Sequence, residues 1–200
     1  DRAMVTHAGA METLQFSDIE LNRLTDSDHL HISSYFLQKS LQKDIGKLFR
    51  LAKEAGMTTS FDPQWDPAEK WEMALEKVLP FVDIFLPNEK ELLLLTKEST
   101  LPDAISAIKA ISHTIVVKRG TAGSVLFTKS TMHAQPAFLH AKVIDAIGAG
   151  DSFNAGFIHK FILDQSIETC QKFGNLIGAI STTAAGGTSA FQQKQDILKN

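Results

Sequence analysis

The chain has 200 residues, a length that suffices for one domain with a sizeable core. Apolar residues make up 44% of it, and its formal net charge is −3. The charge gives no basic excess for nucleic acid, and no apolar run approaches the roughly 18 residues that a membrane helix needs. The single cysteine, Cys170, excludes an internal disulfide and is typical of a reducing compartment. We therefore expect a cytoplasmic protein with neither nucleic acid nor membrane as a partner.

Apolar strands alternate with amphipathic helices along most of the chain. Strands are predicted at residues 29–33, 57–62, 81–86, 113–118 and 124–128, the last two forming a hairpin. Helices are predicted at residues 37–52, 71–79, 89–96 and 105–111, with Gly56 just beyond the first. This order is typical of an α/β fold whose mostly parallel sheet is covered by helices on both faces. Ligands bind at the carboxyl ends of such strands.

The strongest motif is residues 143–157, VIDAIGAGDSFNAGF. Gly148, Ala149 and Gly150 can present backbone N–H groups at the N-terminus of the following helix, which favours an anion. That site suits a transferring phosphoryl group. Asp151, in the first turn, can accept the proton of an attacking hydroxyl. Read alone, an Asp in the first turn of a helix is more often a residue that only compensates the helix dipole.

Residues 145–156, DAIGAGDSFNAG, resemble the C-terminal signature D-T-x-G-A-G-D-x-F-x-x-G of the PfkB/ribokinase carbohydrate kinases. Ala146 departs from the usual Thr. The resemblance implies a ribokinase-like three-layer sandwich with a small β lid. It also implies a kinase that moves the γ-phosphoryl of ATP to a sugar-like hydroxyl. Asp151 would be the base, and Gly148, Ala149 and Gly150 would hold the phosphoryl group.

Residues 86–91 resemble the P-N-x-x-E motif of the same family. By resemblance, Asn88 and Glu91 help to organise Mg²⁺ and the phosphates, largely through water, which fits the preference of Mg²⁺ for oxygen ligands. The alternative is a helix N-cap, since Asn followed by Glu at the third helical position is nearly a capping box. Both interpretations can hold together.

Two further segments resemble parts of the family's nucleotide site. In residues 116–123, Gly120 and Gly123 would let ATP approach closely and Lys118 could reach a phosphate; the alternative is an ordinary hairpin turn. In residues 173–187, Asn175 matches an Asn near the adenine, unless it is a polar residue on a helix surface. Gly186 and Asp145 match a loop that holds a monovalent cation in many members, which makes K⁺ an optional cofactor.

The resemblance implies that the N-terminal third of the kinase domain is absent from the chain, together with part of the acceptor site. Residues 1–13 would be a lid remnant, and an unpaired lid edge would favour a homodimer through the lids. The partners would be ATP and a small sugar-like acceptor whose identity the sequence leaves open. The alternatives are a nucleoside or sugar-phosphate kinase of the same fold, and a non-catalytic nucleotide-binding regulatory module.

Overall fold

The structure, a computed structural model, describes residues 6–139 and 143–192, without the side chains of residues 23–25. The chain forms two compact units, the first ending at His113 and the second beginning at Thr114. Residues 1–5, which carry most of the predicted lid strand, lie outside the described residues. Gly9 precedes a single helical turn, α1 (Ala10–Thr13).

The first unit contains three parallel strands and the helices that connect them. Strand β1 pairs with β2, and β2 pairs with β3, all in the same direction. This parallel arrangement with intervening helices confirms the predicted α/β pattern. The strands are β1 (His29–Ile32), β2 (Thr58–Phe61) and β3 (Ile84–Phe85), and the helices after α1 are α2 (Ile45–Glu54), α3 (Leu75–Val78), α4 (Glu89–Thr96) and α5 (Leu101–Ile108).

Three predicted elements of this unit are clearly shorter than the sequence pattern suggested. The helix predicted at residues 71–79 spans only Leu75–Val78, because Trp71 has φ 55°, outside the right-handed helical region. The helix predicted from residue 37 begins only at Ile45, and short 3-10 turns precede it. Leu41 is only 2% exposed although it lies outside any α-helix, so the apolar spacing reflected burial rather than helix. Strand β3 spans two residues because Phe81 belongs to a 3-10 turn at residues 79–81, and the N–H of Val82 donates to the carbonyl of Leu79 at 3.1 Å instead of to a neighbouring strand.

Aromatic side chains dominate the core of the first unit. Phe61 of β2 is fully buried, and its ring centroid lies 5.8 Å from that of Phe49 and 5.7 Å from that of Phe85. The two tryptophans pack edge to face at 4.8 Å, as expected for packing residues. This core fixes the end of β3, from which the chain passes into α4.

The second unit combines an antiparallel sheet with two long helices. The predicted hairpin is confirmed, and an additional strand, β6, pairs with its second strand. Sequence reasoning missed β6 because its residues alternate between exposed and half-buried and contribute little apolar signal. The elements are β4 (Thr114–Lys118), β5 (Ser124–Phe127), β6 (Met132–Gln135), α6 (Ala149–Phe161) and α7 (Ile167–Ser181).

A buried glutamine ties α7 to this sheet. Gln171 is fully buried, and its Nε2 donates to both the carbonyl and the hydroxyl oxygen of Ser124 at 3.1 Å. Its Oε1 lies 2.8 Å from Nδ1 of His133 in β6. These bonds satisfy a polar group that would otherwise be costly to bury, and they fix α7 against the sheet. Across residues 6–139 and 143–192, the helices are all too short or too polar to cross a bilayer.

Candidate active site

The glycine loop of the second unit opens the N-terminus of α6. Gly148 is the N-cap at φ 76°, and a Cβ there would lie 2.6 Å from Cα of Gly187, so only glycine fits. The N–H of Ser152 donates to the carbonyl of Gly148 at 2.8 Å. The N–H groups of Gly150 and Asp151 therefore precede the intrahelical ladder, where the helix dipole is positive. This arrangement fits an anion.

Asp145 holds the loop before α6 against the loop after α7. Its Oδ1 accepts a hydrogen bond from the N–H of Ile147 at 2.9 Å, and its Oδ2 accepts one from the N–H of Gly186 at 3.0 Å. The N–H of Ile144 also donates to the carbonyl of Thr182 at 2.8 Å. The structure thus brings together Asp145 and Gly186, the two residues predicted for a cation loop. It also shows that the carboxylate has a structural task that needs no cation.

Asp151 stands in the first turn of α6 with its side chain exposed. It lines a cavity of about 530 Å³ that begins at the glycine loop and follows the groove between α6 and α7. Phe173, Ile177 and Phe191 line the apolar part of this groove. Because Asp151 is reachable from the cavity and sits beside the anion-binding turn, its carboxylate can meet a hydroxyl that enters there.

Lys118, the last residue of β4, reaches the same turn of α6. Its Nζ donates to Oδ1 of Asn154 at 3.2 Å, and a Cβ placed on Gly150 would lie 3.7 Å from that Nζ. The ammonium group therefore lies against the anion-binding turn. Sequence reasoning missed Asn154. It lies four residues, one helical turn, beyond Gly150, but this spacing alone gives no sign that a lysine of β4 contacts it.

The other residues of this unit that were predicted to bind the nucleotide are Gly120, Gly123 and Asn175, and their surroundings differ. A Cβ at Gly123 would lie 2.1 Å from the carbonyl oxygen of Gln135, so this glycine is required by the chain's own backbone. A Cβ at Gly120 would meet nothing within 4 Å, which leaves room for a ligand. Asn175 is buried rather than on the helix surface, and its Nδ2 donates to Oγ of Ser124 at 2.9 Å.

Asn88 and Glu91 lie in the first unit, at the start of α4. The N–H of Asn88 donates to Oε2 of Glu91, and the N–H of Glu91 donates to Oδ1 of Asn88, both at 2.8 Å. The predicted capping box is therefore confirmed. Glu91 is only 6% exposed. Within the described part of the chain, no three His, Cys, Asp or Glu side chains lie close enough together to hold a metal ion by themselves.

Comparison with known sequences identifies the family. A family model described as pfkB family carbohydrate kinase matches residues 1–194, nearly the whole chain. The chain belongs to the pfkB family of carbohydrate kinases. The match includes the glycine loop, Asp151 and the Asn88–Glu91 pair, which confirms the resemblance drawn from those motifs.

Two relatives illustrate the range of named activities. The chain is 30% identical over 179 residues to an uncharacterized sugar kinase of Archaeoglobus fulgidus, covering 90% of this chain and 70% of that protein. It is 27% identical over 194 residues to an ATP-dependent ribose-1-phosphate kinase of Halopiger xanaduensis, covering 94% and 60%. The pfkB chain therefore spans between 60% and 70% of the length of these two relatives.

Solved structures support the same fold. A ribokinase from Thermotoga maritima superposes with a TM-score of 0.79 at 27% identity, over 98% of this chain and 65% of that one. A fructokinase from Vibrio cholerae, solved with fructose, ADP and calcium, gives a TM-score of 0.74 at 26% identity, over 86% and 59%. The predicted α/β ribokinase-like fold is confirmed.

Proposed function

We propose that the protein is an ATP-dependent phosphotransferase of the ribokinase/fructokinase type, which moves the γ-phosphoryl of ATP to a hydroxyl of a sugar. One observation carries this proposal. The backbone N–H groups of the glycine loop, the ammonium of Lys118 and the carboxylate of Asp151 all meet at the first turn of α6. An anion holder beside a proton acceptor is the arrangement that phosphoryl transfer requires.

The glycine loop would stabilise the transferring group. Charge spreads over three equatorial oxygens in the transition state, and donors fixed before the reaction need no reorganisation to meet it. Gly150 and Asp151 supply N–H groups at the positive end of a 13-residue helix. Asp145 keeps these donors in place through its bonds to Ile147 and Gly186. The loop therefore works as a rigid phosphoryl cradle.

Asp151 would accept the proton of the acceptor hydroxyl. In a loose transition state the proton leaves late, so a well-positioned carboxylate suffices and a strong base is not required. Its place in the turn that also binds the phosphoryl group aligns the nucleophile with the phosphorus. No other acidic residue lines the 530 Å³ cavity among those that the structure describes.

The residues that we propose bind the nucleotide are Asn88, Glu91, Lys118, Gly120, Gly123 and Asn175. Glu91 is also proposed to help bind Mg²⁺. The capping box leaves the carboxylate of Glu91 in a fixed orientation, which suits a Mg²⁺ ion that keeps its waters. When bound, Mg²⁺ would neutralise charge on the phosphates. A K⁺ ion near Asp145 and Gly186 stays a prediction, as do a cytoplasmic location and the assignment of residues 1–13 to a lid that could pair two copies.

A sugar phosphate is the second candidate for the acceptor. The relative named ribose-1-phosphate kinase favours it, since that protein matches 94% of this chain. The named fructokinase, solved with fructose, favours a free sugar. The two candidates share the same donor chemistry and differ only in the groups that recognise the acceptor.

The proposal is tested with the protein at its natural full length and ATP labelled on the γ-phosphorus, with Mg²⁺ and K⁺. Pentoses, hexoses, nucleosides and sugar phosphates are offered separately, and the labelled product is identified by mass. We expect label to pass to one class of acceptor, with a matching release of ADP. Binding of ATP without transfer to any acceptor would contradict the proposal and favour a regulatory nucleotide-binding module.

A further inference from the structure

We infer that Asn154 is a positioning residue that holds the ammonium of Lys118 against the phosphoryl cradle. This inference rests on the proposed function and deepens it. Asn154 is only 3% exposed, and its Oδ1 accepts a hydrogen bond from Nζ of Lys118 at 3.2 Å. That Nζ lies within 3.7 Å of the point where Gly150 would carry a Cβ. A lysine from the sheet is thereby placed at a helix N-terminus.

The contact suits a lysine that must act on an anion. A lysine side chain has a long flexible stem, and fixing it before the ligand arrives reduces the entropy that binding must supply. Asn154 lies on α6 itself, one turn beyond Gly150, so the partner of Lys118 is part of the same rigid element as the cradle. Movement of the ammonium relative to the loop N–H groups is therefore restricted.

The residue type matters as much as its position. The amide oxygen of Asn154 is neutral, so it accepts a hydrogen bond from the ammonium without itself cancelling that charge. A carboxylate at this position would form an ion pair with Lys118 and offset that charge. A leucine, which has the same branching of heavy atoms but a larger volume, would remove the hydrogen bond altogether. These two replacements therefore separate the loss of position from the loss of charge.

The inference predicts a loss that is specific for phosphate. We expect Asn154→Leu to weaken ADP and ATP binding about 5- to 20-fold. Adenosine binding should stay within about twofold, because it carries no phosphate. The KM for ATP should rise by more than kcat falls. Asn154→Asp, which is nearly isosteric, should weaken ADP at least as much as the leucine variant. It also keeps the test available if the leucine variant does not fold.

A double-mutant cycle distinguishes positioning from packing. If Asn154 acts through Lys118, then adding Asn154→Leu to Lys118→Met should cause no further loss of ADP affinity. Calorimetric titration of ADP and adenosine into all variants, with their unfolding temperatures, measures this. Equal losses of ADP affinity in both backgrounds, or equal losses for ADP and adenosine, would overturn the inference, as would normal ADP affinity in Asn154→Asp.

The wild-type protein separates this inference from the proposed function. If it binds ADP and transfers the γ-phosphoryl while the Asn154 variants behave normally, the inference alone fails. If it binds neither ADP nor ATP, the proposed function and the inference fail together.

Discussion

Two aspartates of the signature motif, Asp145 and Asp151, have different surroundings. Asp145 accepts hydrogen bonds from two backbone N–H groups and joins two loops. Asp151 is exposed in the first turn of α6 and lines the cavity. Hydrogen bonding of a carboxylate to backbone N–H groups fixes its geometry, whereas an exposed carboxylate can meet a substrate. The first residue therefore joins the two loops, and the second is the one that we propose acts on the acceptor hydroxyl.

The structural and metal roles of Glu91 can be separated by one conservative change. Glutamine is also accepted at the third position of a capping box, so Glu91→Gln should keep stability within about 0.5 kcal/mol. It removes the negative charge, so a role toward Mg²⁺ predicts that the Mg²⁺ concentration for half-maximal activity rises about tenfold. Unchanged Mg²⁺ dependence would assign Glu91 to capping alone.

Asn88→Ala, which breaks the capping box, should lower the free energy of unfolding by about 1 kcal/mol in a urea titration.

His29 makes the stability of the first unit depend on pH. Its ring nitrogens lie 2.7 Å from Oγ1 of Thr58 and from Oγ of Ser60. Burial, with a smaller contribution from the charge of His31, lowers the pKa of His29 from 6.5 to about 4. Between pH 4 and pH 6.5, His29 is therefore protonated in the unfolded chain but neutral in the folded chain. The contribution of His29 to stability is complete above pH 6.5 and is lost as the pH falls toward 4.

The size of this loss can be measured by tryptophan fluorescence, because both tryptophans lie in the first unit. A shift of this size is worth about 3 kcal/mol at full burial, and solvent screening of the half-buried ring leaves roughly 1–2 kcal/mol. Urea titrations at pH 7.5 and pH 4.5 should show that His29→Gln loses less stability on acidification than the wild type. The exposed His113→Gln variant is the control, and equal losses in all three proteins would refute the assignment.

At the scale of elements, α6 and α7 approach closely because glycines face the other helix. A Cβ on Gly156 would lie 2.8 Å from Cγ1 and 2.9 Å from Cβ of Ile177. Gly156→Ala should therefore destabilise the second unit by about 1–3 kcal/mol, the cost of overpacking a filled site. Thermal unfolding followed by circular dichroism measures this. Ile177→Ala should recover part of the loss in the double variant, and full additivity of the two changes would argue against the contact.

The elements that could be predicted from sequence were those with a local physical signal. Helix α4 followed from its capping box, and the hairpin of β4 and β5 followed from β-branched residues and a glycine turn. The helix predicted from residue 37 began late because Leu41, buried in a turn between two 3-10 helices, imitates helical spacing. Asn154 was missed because a single polar residue in a helix gives no local sign that it is buried against a lysine from another element.

At the scale of the whole molecule, the signature motif identified the family and the fold, while the acceptor stayed open. A glycine loop before a helix is constrained by backbone geometry, so its residues can be recognised from the sequence alone. The hydrogen bond between Asp145 and Gly186 spans 41 residues, and only the resemblance placed those two residues together. Acceptor recognition depends on side chains whose pattern no backbone rule dictates.

The measurement that tests the account most directly is phosphoryl transfer by Asp151→Asn, compared with the wild type at the protein's natural full length. Asparagine keeps the shape of the side chain but cannot accept the proton, so kcat should fall about 10³-fold or more while ADP affinity stays within about twofold. Asp164→Asn, the same change at an exposed residue beyond the far end of α6, is the matched control and should keep normal activity. Near-normal transfer by Asp151→Asn would contradict the account.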